Sequence, residues 1–165
     1  MLNKSKIALM GVIAVAGIAS NAANAATVSA RAEVDIITAV TLTEDAILDF
    51  GVVASSAAGG SVTLPNTSDA RTCVGVTCVG TAQRGAFTVS GAASGFVVLV
   101  TTAPTTTLTN GGGGAPMNLI LNPSLLNFTS TGVARSFFVG GTLAVGANQA
   151  AGTYTGNYNV SADYQ

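Results

Sequence analysis

The longest regular pattern in the chain lies at its C-terminal end. From Thr153 to Tyr164, polar residues alternate strictly with residues that are apolar, aromatic or glycine. This alternation predicts a β-strand with one buried face, because successive side chains of a strand point to opposite sides. Twelve residues would extend over roughly 40 Å, about twice the common strand length. A strand this long needs a partner, because unpaired backbone groups at an exposed edge invite another chain.

A second alternating segment runs from Ala26 to Ile36. Polar or charged residues separate five apolar positions, which are Val28, Ala30, Ala32, Val34 and Ile36. We predict a strand here as well. Two interpretations stay open: it is the first strand of the domain's own sheet, or an extension that completes a neighbouring molecule.

The residues between these two segments indicate short strands and turns. Runs rich in β-branched residues alternate with Gly, Pro and Asn, and the four glycines Gly111–Gly114 are predicted to form a loop tip. No stretch after residue 25 combines a helical period with capping residues. The sequence therefore predicts a single all-β domain over residues 26–165, a sandwich of roughly seven to nine strands. A closed outer-membrane barrel is disfavoured, because the chain has no Trp and only nine Phe and Tyr residues for aromatic girdles.

The first 25 residues have the pattern of a secretion signal. Lys4 and Lys6 precede an apolar run from Ile7 to Ile18, and Ala23-Asn24-Ala25 is a small-residue cleavage site. The apolar run is shorter than the roughly twenty residues that a membrane span requires. We predict cleavage after Ala25, export, and no membrane span in the mature protein.

The charge of the remaining chain excludes some classes of partner. After Ala25 there are four arginines and seven acidic residues, which gives a net charge of −3. Since there is no basic patch, we expect neither nucleic acid nor an anionic membrane surface as a partner.

Cys73 and Cys78 are the only cysteines of the chain. In an oxidising compartment we expect them to form a disulfide that fixes a local turn, because it closes a loop of only four residues. A zinc site is disfavoured, because the chain has no His to complete the ligand set. We expect neither a metal nor another cofactor.

Catalytic chemistry has little support in the sequence. Neither His nor, after residue 25, Lys is present to activate a Ser or Cys nucleophile. The carboxylate pairs Asp45 with Asp49 and Glu33 with Asp35 are the remaining candidates, and Glu33 and Asp35 lie on the polar face of their predicted strand. We expect the protein not to be an enzyme.

In the alternating C-terminal segment, Tyr164 is the penultimate residue and Gly152 is fourteen positions from the end. This segment resembles the end of chaperone–usher pilins, which is an alternating strand with a Tyr and a Gly at the same two positions. Most of the mature chain also resembles the secreted bacterial family described as domain of unknown function 4402. The segments that carry this second resemblance are Leu48–Gly51, Ala86–Gly91, Gly141–Val145 and Gly152–Tyr158.

The resemblance to pilins implies an immunoglobulin-like sandwich that lacks its last strand. A periplasmic chaperone first fills the open groove, and the N-terminal extension of the next subunit replaces it during export through an outer-membrane usher to a surface fimbrium. The C-terminal residues implied in the groove floor and the chaperone-contacting edge are Tyr154, Tyr158, Val160, Ala162 and Tyr164, with Gly152 allowing close backbone approach. The implied donor side chains are Val28, Ala30, Ala32, Val34 and Ile36.

The chain departs from the pilin pattern in two places. Its cysteines are only five positions apart, and its N-terminal segment lacks a central glycine. Two functions therefore stay open. The first is a structural subunit of a bacterial surface fibre, and the second is a secreted or surface-coat binding module that closes its own sandwich as an adhesin-like monomer. The loops predict no receptor or carbohydrate specificity.

Overall fold

The computed structural model of the protein describes residues 26–165, and this part of the chain contains twelve β-strands and no helix. The all-β prediction is confirmed, and the architecture is consistent with a β-sandwich. The strand count exceeds the predicted seven to nine because four strands have only three residues. The strands are β1 Thr41–Ala46, β2 Val52–Ala54, β3 Gly60–Leu64, β4 Thr72–Val74, β5 Thr77–Val79, β6 Gly85–Ser90, β7 Val97–Thr102, β8 Thr105–Leu108, β9 Met117–Pro123, β10 Asn127–Thr129, β11 Arg135–Val145 and β12 Val160–Tyr164.

The largest sheet has seven antiparallel strands and is built around β11. Its path is β1-β6-β11-β3-β4, and β9 and β8 extend it from β11. The first half of β11 pairs with β6, whereas the second half pairs with β3 and β9. Gly140 and Gly141 lie at this change of partner, and an added Cβ would stand 2.6 Å from the Asn66 nitrogen and the Ile120 oxygen respectively. Only glycine permits such a close approach of the neighbouring backbones.

Two smaller sheets complete the fold. One has the order β10-β7-β12, and the other pairs β2 with β5. Alternate residues of β6, β7, β9 and β11 point inward and form one hydrophobic core with residues of β3. Its most buried large side chains are Phe137, Leu64, Val62, Val89, Val98, Val100 and Val139.

The predicted C-terminal strand is wrong in length but right in its facing pattern. Only Val160–Tyr164 forms a strand, while residues 151–159 contain a single bridge, between Thr155 and Thr109. The ladder is interrupted where Gly156 lies tight against the Thr107 backbone and where the Thr106 hydroxyl donates to the Asn157 carbonyl. Except at Gly156, the even positions of Thr153–Tyr164 are nevertheless half-buried and the odd positions exposed.

The predicted N-terminal strand is not formed in the single chain. Residues 26–40 have no assigned strand, and Val28 and Val34 are 91% and 80% exposed. Residues 36–165 form one compact unit, and residues 26–35 belong to a separate one. The predicted secretion signal, residues 1–25, lies outside the described residues. No helix long and apolar enough to cross a membrane occurs within residues 26–165.

Candidate functional site

A groove of about 1320 Å³ lies beside the C-terminal segment of the compact unit. One wall is formed by Leu42, Glu44 and residues 47–55, and the other by residues 149–160. The floor consists of side chains of the hydrophobic core and its margin, namely Phe87, Leu108, Met117, Leu119, Leu143 and Val145. The groove therefore opens directly onto the core.

Both walls include the free edge of a sheet. β12 stands at the end of the three-stranded sheet and pairs only with β7, while β1 stands at the end of the large sheet and pairs only with β6. The backbone bonds of Thr155, Asn159 and Gln165 all run to residues 97–109 on the β7 and β8 side. β1 and β12 also lie near each other in space. Within residues 26–165, the outer backbone groups of these two strands have no strand partner, and such an edge is a template for another strand.

Gly152 and Tyr154 lie in the part of the C-terminal wall that is nearest to Gln149 in the sequence. The Tyr154 hydroxyl donates to the Ala150 carbonyl at 2.9 Å and accepts from Gln149 Nε2 at 2.8 Å. Gly152 has a φ of 146°, and the side chain of Asn110 occupies the place where a Cβ would stand. Close approach at Gly152 thus involves the Asn110 side chain rather than another backbone.

Tyr158 lies at the middle of the same wall. Its ring meets Phe87 edge-on, with 6.3 Å between the ring centroids. Its hydroxyl oxygen is buried and has no hydrogen-bond partner among the described residues. Burial, and to a smaller extent the negative charge of Glu44, raises the pKa of Tyr158 to about 12.

Raising the pH from 10 to 12 is expected to destabilise the fold through Tyr158. Because the folded-state pKa lies above the unfolded value of 10.0, this contribution to stability is complete below pH 10 and is lost as the pH rises towards 12. Urea unfolding across this range should show the loss, and Tyr158→Phe should remove it while keeping or increasing stability at pH 7, because it deletes a buried hydroxyl without a partner. The matched control Tyr154→Phe should keep the alkaline loss. If Tyr158→Phe loses the same stability between pH 10 and 12, Tyr158 is not the group responsible for the alkaline loss.

Val160, Ala162 and Tyr164 belong to β12 and are half-buried against the core. They pair with Thr102, Val100 and Val98 of β7 respectively. The structure therefore places all five predicted apolar and aromatic C-terminal residues on one face of the C-terminal segment. Val160, Tyr154 and Tyr158 line the groove directly.

The opposite wall was not predicted from the sequence. Within this wall, Val52 is exposed and Val53 is half-buried. No sequence signal pointed to Arg71, whose guanidinium donates to the carbonyls of Phe50, Val79 and Gly80. Arg71 thereby ties the groove wall to the end of β5.

Cys73 and Cys78 form a disulfide, with their Cα atoms 6.3 Å apart. Cys73 lies on β4 of the large sheet and Cys78 on β5 of the two-stranded sheet. The bridge therefore links two sheets in addition to fixing the turn between them. No group of three or more His, Cys, Asp or Glu residues within residues 26–165 could hold a metal ion.

Comparison with known proteins identifies a family. The family model described as domain of unknown function (DUF4402) matches residues 40–164, a range that includes both groove walls. No curated protein and no solved structure matches the chain. The protein therefore belongs to the DUF4402 family.

Proposed function

We propose that the protein is a structural subunit of a bacterial surface fibre, in which residues 26–37, here called the arm, insert into the groove of the next copy. The observation that carries this proposal is an open groove over the core with a free strand edge in each wall. An extended segment that pairs with such edges and buries alternate side chains is the usual form of β-strand addition.

The arm has the side-chain pattern that an apolar groove requires. Its twelve residues could extend over roughly 40 Å as a strand. Every second arm side chain from Val28 to Ile36 is apolar. One face of an inserted arm would thus meet the apolar floor while the polar face remained in water.

Burial of this face supplies a driving force for assembly. Each Val or Ile side chain transferred from water to an apolar site contributes about 1.5–3 kcal/mol, and Val28, Val34 and Ile36 are all highly exposed in the single chain. Pairing with β1 and β12 would also satisfy their outer backbone groups. These contributions oppose the entropy lost when the arm becomes ordered.

The open groove also supports a proposal about the subunit before assembly. An uncovered apolar groove with strand edges is a hazard for aggregation. We propose that a periplasmic chaperone covers it in transit and that an outer-membrane usher exchanges the chaperone for the arm of another copy at the cell surface.

A secreted binding module that closes its own groove is the alternative. It is favoured by the absence of a glycine between Ala26 and Ile37, a departure from the donor-strand pattern of pilins. In that case the arm would act within its own chain, and the protein would be a monomer.

Deleting residues 26–37 from the mature chain tests the proposal. We expect the mature protein to form ladders in unheated SDS gels and the deleted chain to remain monomeric. A peptide of residues 26–37 should bind the deleted chain with a 1:1 stoichiometry, because the groove is retained. A control peptide of the same composition, with its apolar residues moved to both faces, should bind much more weakly. Ladders formed by the deleted chain would contradict the proposal.

A further inference from the structure

We infer that Tyr164 is a positioning residue that commits the arm to another copy by holding Thr38–Val40, the root from which the arm begins. This inference rests on the proposed function, since it takes the arm as the ligand of the groove. Tyr164 does not have to touch the inserted strand to act in this way. Its effect comes from the backbone that its hydroxyl fixes.

The hydroxyl of Tyr164 joins three parts of the chain. It accepts from the Ala93 backbone nitrogen at 2.7 Å and donates to the Thr38 carbonyl at 2.8 Å. The ring meets Phe96 edge-on, with 5.7 Å between the centroids. The end of β12, the loop after β6 and the root of the arm therefore meet at one phenol.

A second set of contacts fixes the same root. The Thr38 hydroxyl donates to the Gly91 carbonyl at 2.6 Å. Gly91 has a φ of 74°, and an added Cβ would lie 2.9 Å from the Ala39 carbonyl oxygen. Together with the Tyr164 bonds, these contacts form a clasp of Thr38, Ala39, Gly91, Ala93 and Tyr164.

The position of the clasp determines how an arm could reach its own groove. β1 leaves the root towards the groove, which it lines with Leu42 and Glu44, and β12 arrives at the clasp from Val160 in the groove wall. An arm that filled its own groove would have to run back from the root alongside β1 and β12. The chain would therefore need a tight reversal within residues 37–40.

The clasp and the sequence both oppose this reversal. Thr38, one of the four residues available for the turn, is held by two hydrogen bonds, and the Ala39 carbonyl lies close to Gly91. Tight hairpin turns favour Gly, Asn, Asp and Pro, and Ile37-Thr38-Ala39-Val40 contains none of them. An arm from a second copy needs no turn at this root.

The variant Tyr164→Phe in the otherwise complete mature chain tests this inference. It keeps the ring against Phe96 but releases the Thr38 carbonyl, so that only the bond from the Thr38 hydroxyl to Gly91 still opposes a turn of residues 37–40. We expect the ratio of monomer to multimer to rise about tenfold, the change expected from losing one or two hydrogen bonds. In that monomer, hydrogen exchange should show newly protected amides in residues 27–36. If Tyr164→Phe only destabilised the fold, hydrogen exchange would become faster in the compact unit and the arm amides would not become protected.

Two further variants complete the test. Thr88→Val, which also removes a hydroxyl with two hydrogen bonds but lies outside the groove lining, should give no protected arm in the monomer. Thr38→Asn combined with Ala39→Gly supplies turn residues and should shift the protein to the arm-protected monomer even with Tyr164 present. Unchanged arm exchange and multimer yield in both Tyr164→Phe and the turn variant would overturn the inference.

The outcome also separates this inference from the proposed function. If the unaltered chain forms no multimers, the fibre proposal fails. The clasp inference then still stands if Tyr164→Phe protects arm amides that are unprotected in the unaltered chain. It is overturned if those amides stay unprotected.

Discussion

Replacing Phe137 with alanine is expected to destabilise the protein by about 3–5 kcal/mol, the range found when a fully buried aromatic side chain is removed. Phe137 lies in β11, is 1% exposed, and stacks on Phe87 with 5.3 Å between the ring centroids. Phe87 in turn forms part of the groove floor. Since small domains have total stabilities of about 5–15 kcal/mol, this single change should remove a large part of the folding free energy. Urea unfolding of the mature protein and of Phe137→Ala measures this loss of unfolding free energy.

The neighbouring residue Phe138 provides a matched control. It lies on the same strand but points to the opposite face, where the Arg84 guanidinium stands 3.8 Å from its ring centroid. Phe138→Ala removes the same atoms from a half-buried site and should cost only about 1 kcal/mol, mainly from the lost cation–π contact. Equal losses for the two variants would mean that the core is not centred on the inner face of β11.

Placing a carboxylate on the apolar face of the arm is expected to abolish assembly. In Val34→Asp, the new charge is exposed in the single chain, because Val34 is 80% exposed, so the fold should keep its stability. In a filled groove the same carboxylate would be desolvated, and no Arg or Lys is found among the described residues that line the groove. An uncompensated charge of this kind costs several kcal/mol, so multimer yield should fall by more than about 100-fold.

The control for this variant is Ser29→Asp on the polar face of the arm. It adds the same charge to the same segment but would remain in water when the arm is inserted. Sedimentation of both variants at equal concentration should show multimers for Ser29→Asp and monomers for Val34→Asp. A similar loss in both would indicate that charge, rather than burial of one face, governs assembly.

The C-terminal segment shows what alternation can and cannot predict. Its pattern correctly identified the half-buried face of Tyr154, Tyr158 and Tyr164, because burial follows the side-chain direction. It could not predict where backbone pairing stops, since that depends on the Thr106 contact with Asn157 and on the Thr107 backbone beside Gly156. The side-chain pattern predicts which face of a segment is buried, but it does not predict which strand its backbone pairs with.

The features of the site that the sequence did not predict depend on contacts between distant parts of the chain. Tyr164 and Thr38 are 126 residues apart, and no local pattern links them. The wall of residues 47–55 likewise depends on the Arg71 guanidinium, which reaches the Phe50 carbonyl across the fold. The cysteine pair was predictable because its two members are close in sequence and only one pairing exists.

The arm shows a second feature that a sequence pattern does not predict, namely the partner with which a strand pairs. Its alternation predicts a strand, yet residues 26–40 form none in the single chain. A strand needs a neighbour for its backbone groups, and a pattern within one chain does not say which copy provides that neighbour. The free edges of β1 and β12 supply a site of the right kind.

The central claim, that the arm of one copy fills the groove of another, is tested most directly by cross-linking between two different variants. One batch of mature protein carries Ala32→Cys in the arm, and a second carries Ala162→Cys in β12, while the native Cys73–Cys78 disulfide is kept. After mixing, a short bismaleimide should join position 32 of one copy to position 162 of another and give covalent dimers. Assembly by arm exchange is contradicted if the mixture gives no such dimers while a chain that carries both substitutions is cross-linked within itself as a monomer.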